Sequence, residues 1–243
     1  MKQMITIVLF LIIGGTGFTQ SPDQIISRME ENQSFSSARF EGRFIIEDRW
    51  GTKETEFTAY TNGEENTRID FTSGEERGQK ILRTENEIYL YYPDAEEVIR
   101  LQGAALRESV MGSDLSYEDI AGDRDLTDEY EITLEGTEQI DGHECYHLRL
   151  EANTQQVPYP IQEIWVDTEL YVMRKAEYYS LNNRLLKTME VLEISQQSGY
   201  VFPTHYTMVD HMKRNSSTEF IIESIDLNAR FDRGTFSLED LSW

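Results

Sequence analysis

The chain has 243 residues, with 45 acidic side chains against 22 basic ones and a formal net charge of −23. That balance argues against nucleic acid and against anionic lipid headgroups as partners, because both repel it. A single cysteine, Cys145, cannot form an internal disulfide, so apolar burial rather than covalent staples must hold the fold.

Residues 1–20 read as a secretory signal: Lys2, an apolar run from Met4 to Ile13, then small residues leading to cleavage near Thr19 or Gln20. The run is too short to span a bilayer, which needs roughly 20 apolar residues. No later stretch is apolar for that long. No cysteine follows the signal to carry a lipid anchor. The expectation is an exported, periplasmic protein in which residues 21–243 form one domain.

Pro22 to Gln33 is predicted as the first helix, with Ser21 as N-cap, Pro22 at the first helical position and Ile25, Ile26 and Met29 on one stripe. From Ser37 the period changes to two. Phe40, Gly42, Phe44 and Ile46 share a face opposite Arg39, Glu41, Arg43 and Glu47. Further alternating runs surround Phe57 and Ala59, Ile69 and Phe71, then Ile88, Leu90 and Tyr92. Asn62-Gly63, Ser73-Gly74 and Pro93-Asp94 punctuate them as turns. Val98 to Leu101 follows. After a central interruption, strands resume over 130–134, 138–140, 143–150, 161–166, 171–179, 185–194, 200–208 and 217–227. Asp141-Gly142 and Asn182-Asn183 mark turns between them. The fold class is therefore mainly β: an antiparallel meander of about 10–11 strands, with no βαβ rhythm and no repeat. A sheet that wide tends to curl or close. Periodicity leaves open whether its apolar face is a filled core or a groove.

The interruption runs from Arg100 to Gly122. Leu101, Ala105, Leu106, Val110 and Met111 fall at helical spacing and predict an amphipathic helix. Ser113 or Asp114 can cap the next short helix, and Ser116 with Asp119 has capping-box spacing. This segment is the predicted lid or rim.

The reactive constellations are weak. His143, Cys145 and His147 share a strand face, but i, i+2 neighbours lie nearly 7 Å apart along a strand, too far for joint tetrahedral ligation without a bend. His205 and His211 are further apart still. Ser113 lacks a G-x-S-x-G elbow, and no P-loop, G-x-G-x-x-G or H-E-x-x-H is present. No enzyme, metal or cofactor is expected.

Several segments together resemble the LolA-like family of outer-membrane lipoprotein-sorting proteins. They are ENQSFSSARFEGRF (Glu31 to Phe44), MGSDLSYEDI (Met111 to Ile120), DGHECYHL (Asp141 to Leu148), IWVDTELYVMRK (Ile164 to Lys175), LLKTMEV (Leu185 to Val191) and DHMKRNSST (Asp210 to Thr218). The resemblance implies an incomplete antiparallel barrel with helices over its mouth and an apolar cavity between them. It also implies carriage of a lipid or lipoprotein acyl group across the periplasm, with an inner-membrane transporter as a partner. On this reading the candidate wall residues are Phe40, Phe44, Phe57, Phe71, Leu90, Tyr92, Tyr206 and Met208. The candidate lid residues are Leu106, Val110, Met111 and Leu115. The alternative function is an envelope sensor on the same fold that binds lipid or lipoprotein and regulates a membrane partner.

Overall fold

The computed structural model describes residues 20–63, 66–84, 87–121, 126–155 and 157–242. The signal expected over residues 1–20 lies outside them except for Gln20. Helix α1 (Pro22–Glu31) starts as predicted: the Ser21 hydroxyl accepts from the Gln24 amide, and the Gln24 side chain returns the bond to the Ser21 amide. Its stripe of Ile25, Ile26 and Met29 is buried.

The first half of the sheet is a meander of β1 (Ala38–Asp48), β2 (Gly51–Thr61), β3 (Thr67–Phe71), β4 (Lys80–Thr84), β5 (Glu87–Tyr92) and β6 (Glu97–Leu101). The second half is β7 (Tyr130–Ile140), β8 (His143–Ala152), β9 (Ile161–Asp167), β10 (Met173–Tyr179), β11 (Leu185–Gln197), β12 (Tyr200–Asp210) and β13 (Ser217–Asp226). All thirteen lie in one sheet, ordered β6-β5-β4-β3-β2-β1-β13-β12-β11-β10-β9-β8-β7. The β1–β13 pair joins the two meanders, and β6 and β7 are left as free edges. The sheet does not close, as an incomplete barrel requires.

The strand count exceeds the 10–11 read from the sequence. β4 is not among the runs read from the sequence: its two apolar residues, Ile81 and Leu82, are adjacent and both buried, so Lys80–Thr84 shows no alternation. The expected runs 130–134 and 138–140 are one strand, β7, carrying a bulge between Leu134 and Gly136 where it pairs with β8. A second bulge falls at Glu41/Gly42 against β13. Only glycine fits there: a Cβ at Gly42 would sit 2.1 Å from the Ile221 carbonyl oxygen and 2.9 Å from the Phe57 ring. Bulges bend the strands they occur in and increase twist. The sheet wraps a shared interior, so that Phe44 of β1, Ile81 of β4, Leu148 of β8 and Ile164 of β9 belong to one buried cluster.

The connection from β6 to β7 runs from one free edge to the other. It is not one amphipathic helix. It breaks into 3₁₀ turns at Gly103–Arg107 and Val110–Gly112, then α2 (Tyr117–Ala121) and α3 (Leu126–Glu129). Met111 takes a left-handed φ of 55° with Gly112 following at 78°, which no continuous helix tolerates. Leu101, first of the expected helical stripe, is the last residue of β6. Ser116 and Asp119 do form the expected capping box, at 2.7 and 3.3 Å. The chain ends with a short helix, α4 (Leu238–Leu241). No helix among the described residues is long and apolar enough to cross a membrane.

Candidate functional site: a two-chambered groove

Two cavities of about 320 Å³ each lie between the concave sheet face and the helices. The first is walled by Phe57 and Ala59 of β2, Ile69 of β3, Tyr206 of β12 and Phe220 of β13. Phe35, Phe40 and Ile120 rim it. The second is walled by four methionines, Met29, Met173, Met189 and Met208, with Leu115, Leu126, Tyr159 and Tyr178. Unbranched thioether side chains re-pack easily around an irregular guest. Gln33, Ser34, Asp119 and Tyr206 border both chambers, so the partition is partly polar.

The roof is fixed at several points. Asn32, at the C-terminal end of α1, donates from Nδ2 to the carbonyls of Leu170 and Tyr171, both at 2.8 Å. The Arg28 guanidinium lies over the Tyr171 ring, 4.8 Å from its centre. The loop before α2 is held by Asp114, whose carboxylate is buried and accepts from the Ser216 and Thr218 hydroxyls at 2.7 to 3.0 Å. Asp114 thus anchors the loop to the β12–β13 hairpin, and the helix cap expected of it is supplied by Ser116.

Asp119 fastens α2 itself. Its carboxylate accepts from the Ser116 amide, from Lys187 Nζ at 2.6 Å and from the Tyr159 hydroxyl at 2.7 Å. Lys187 of β11 points inward and is buried. Burial, reinforced by the Asp119 charge, pushes the Tyr159 phenol well above its ordinary range, so it stays a hydrogen-bond donor at any physiological pH. Burial likewise raises Tyr178 and Tyr206. The cluster is internally paired. Lys187 pairs with the carboxylate and Tyr159 keeps its proton, so the arrangement fastens α2 to the sheet.

The candidate residues separate into two groups. Phe40, Phe57 and Tyr206 line the first chamber, and Tyr206, Met208 and Leu115 line the second. Phe44, Phe71, Leu90 and Val110 are buried in the core cluster, while Tyr92 and Met111 are half-buried against it. Leu106 is half-buried in the first 3₁₀ turn and borders neither chamber. The sequence reading gives Asp119 only as a capping residue and Met208 as the one methionine of the wall; Tyr159, Lys187, Met29, Met173 and Met189 are not among its site residues. One signal was available: in the alternation Leu185, Lys187, Met189, Val191, a lysine occupies an apolar position. A lysine so placed demands a buried acid.

His143, Cys145 and His147 do not meet at a metal site. Cys145 is fully buried and burial pushes its thiol up to about 11. His147 is stacked on Trp165, 4.6 Å between ring centres, and contacts Glu138 and Glu163. Among the described residues no group of three or more His, Cys, Asp or Glu is placed to hold a metal.

An open antiparallel sheet curled beneath helices, with apolar space between the two layers, is the LolA-like fold. It is shared with a putative outer membrane lipoprotein-sorting protein domain from Vibrio parahaemolyticus at a TM-score of 0.83 and 18% identity, covering 91% of this chain and 98% of that one. A DUF1329 family protein from Desulfovibrio piger matches at 0.84 and 23%, covering 91% and 100%. A LolA superfamily protein from Nitrosomonas europaea matches at 0.74 and 24%, covering 88% and 97%. The chain belongs to the family whose model, described as "Uncharacterized protein", matches residues 63–243. No curated protein matches it.

Proposed function

We propose that this chain is an exported, non-enzymatic carrier. Residues 21–243 form one carrier domain that holds the acyl chains of a lipoprotein or lipid in the groove and shuttles them through the periplasm toward the outer membrane. An inner-membrane transporter is the proposed donor of the cargo. The observation that carries this reading is the pair of chambers. Space of about 320 Å³ on each side of Tyr206 is left empty by the protein's own side chains and walled mainly by Phe, Ile and Met. Each chamber reaches the lower end of the ligand-pocket range of roughly 300–1,000 Å³.

The energetics suit the task. Each buried methylene is worth about 0.8 kcal/mol, so a bare acyl chain in water would lose on the order of 10 kcal/mol. A carrier must offset most of that and still release its guest. Apolar adaptable walls do this better than directed polar contacts.

The test is uptake of a fluorescent fatty acid by the purified protein, with lipid extraction alongside. Ala59→Phe intrudes on the first chamber and Met189→Phe on the second. Each is expected to reduce uptake severalfold while the circular dichroism spectrum is kept. No uptake by the unaltered protein, and no lipid recovered from it, would refute the reading.

A further inference from the structure

The two chambers are walled by different residues. The first has no methionine in its lining; its apolar side chains are mainly Phe and Ile. Six methionines follow residue 20, namely Met29, Met111, Met173, Met189, Met208 and Met212, and four of them line the second chamber. A wall that had only to accept an acyl chain could be built of Phe and Ile twice. What the second wall adds is thioether sulfur.

The four methionines come from four elements and are brought together by the register of the sheet. Met189 of β11 and Met208 of β12 are directly opposed, so their side chains leave one face from Cβ atoms about 5 Å apart. On β10 the partner of Met189 is Ala176, which puts no long side chain in the way. Met173 stands further along the same strand, beyond the irregularity between Met173 and Lys175, and so lies diagonal to Met189 at about 7–8 Å. Met29 reaches the chamber from α1. Met29, Met189 and Met208 are buried and Met173 is half-buried. At the metal–sulfur length of about 2.3 Å found for zinc thiolates, sulfurs sharing one ion stand about 4 Å apart. Unbranched side chains with three rotatable bonds can close to that spacing from these positions. The lining also carries Glu30, Glu118 and Asp119 and no Lys or Arg. The neighbouring cations are engaged: Lys187 holds Asp119 at 2.6 Å, and Arg107 comes within 3.9 Å of Glu118. The chamber thus favours a cation over an anion.

We infer that the second chamber binds a soft monovalent metal ion, Cu(I), through the thioethers of Met29, Met173, Met189 and Met208. Thioether sulfur is a soft ligand that selects Cu(I) over harder divalent ions, which prefer imidazole and carboxylate. It has no proton to lose, so binding releases none. A neutral ligand set also leaves the ion its single positive charge, which the carboxylates of the same chamber offset. Cys145 and the four histidines lie outside the lining, so the sulfurs of methionine are the soft ligands available there.

The metal site does not rest on acyl carriage. Metal titration reads the sulfurs and fatty-acid uptake reads the volume, and leucine replaces methionine with little change of volume. The experiment is calorimetric titration of the purified protein with Ag(I), a redox-stable stand-in for Cu(I), in chloride-free buffer, with Zn(II) as the control. One Ag(I) per chain is expected, bound at least a hundredfold more tightly than Zn(II). The triple variant M173L/M189L/M208L should bind Ag(I) at least tenfold more weakly while retaining fatty-acid uptake. A second measurement needs no variant. In the unaltered protein, isotope-labelled at the methionine methyl carbons, Ag(I) should shift the resonances of Met29, Met173, Met189 and Met208 and leave those of Met111 and Met212 in place. Three results would each overturn the inference. One is no binding of Ag(I) by the unaltered protein. Another is undiminished binding by the leucine variant, which would put the ion at Cys145 or the histidines. The third is Ag(I) binding that leaves the four methyl resonances unmoved.

Discussion

The concave face of the sheet is built in two ways within one molecule. Beneath the 110–116 loop it is solid. Phe44 stands 5.2 Å from Phe57 and 6.2 Å from Phe71, ring centre to ring centre, and Leu90 and Val110 are buried in the same cluster. Beneath α1 and α2 the same strands leave two chambers. There the side chains are Ala59, the methionines, half-exposed Phe40 and a paired polar cluster. The strand pattern is the same in both regions. What differs is side-chain volume and the presence of buried polar groups that cannot collapse onto one another. The filled end supplies stability, and the hollow end withholds it.

The sharpest test of this division is Phe44→Ala. Phe44 is fully buried among three other aromatic rings, so its loss should cost about 3–5 kcal/mol. Urea denaturation followed by circular dichroism measures it. A cost below about 1 kcal/mol would mean that the solid end is not solid.

The partition between the chambers is next in size. Lys187→Met leaves the Asp119 carboxylate buried without its cation and should cost about 3 kcal/mol. The double variant D119N/K187M keeps an amide oxygen for the capping box and removes the unpaired charge. It should recover most of that loss. If the double variant is as unstable as the single one, the pair does more than hold α2 to the sheet.

The anchor of the roof is smaller still. Asp114→Ala strands the hydroxyls of Ser216 and Thr218, and a hydrogen bond to a charged partner is worth about 1.5–3 kcal/mol net. A loss of about 2 kcal/mol is expected. Faster hydrogen exchange should accompany it, confined to the 110–121 segment and the β12–β13 turn. Uniformly faster exchange would show that the loop belongs to the global core.

Much of the sheet was legible because its strands alternate cleanly and its turns carry Asn-Gly, Asp-Gly and Asn-Asn. The capping boxes at Ser21 and Ser116 were legible for the same local reason. Within the central segment the short helix after Ser116 is present, and the stretch from Leu101 to Met111 is where the helical expectation fails. Leu101, Ala105, Leu106, Val110 and Met111 do fall at helical spacing, yet they are gathered by tertiary packing at successive turns, and Met111-Gly112 reverses the chain. The site was legible only in part. Alternation tells which face a residue is on. It does not tell whether the space in front of it is filled by a residue distant in sequence. Phe40 and Phe44 have the same parity on the same strand, and only the approach of Phe35, Phe71 and Phe220 from elsewhere distinguishes them.

That pair gives the finest form of the comparison. Phe40 is half-buried, 5.6 Å from Phe35 between ring centres, and it rims the first chamber. Because it already faces open space, Phe40→Ala removes little burial and should cost about 1 kcal/mol or less, at the low end for surface-facing positions. The same change removes part of the wall that a guest would touch. Fatty-acid affinity should therefore fall, by about fivefold for roughly 1 kcal/mol of lost contact. Phe44→Ala should do the reverse when measured on the fraction that remains folded: a large loss of stability with affinity nearly kept. If both variants lose stability and affinity in the same proportion, the two ends are one continuous core and the chambers are packing defects. If they separate as stated, the boundary between structural core and guest-facing wall falls between Phe40 and Phe44 on one strand.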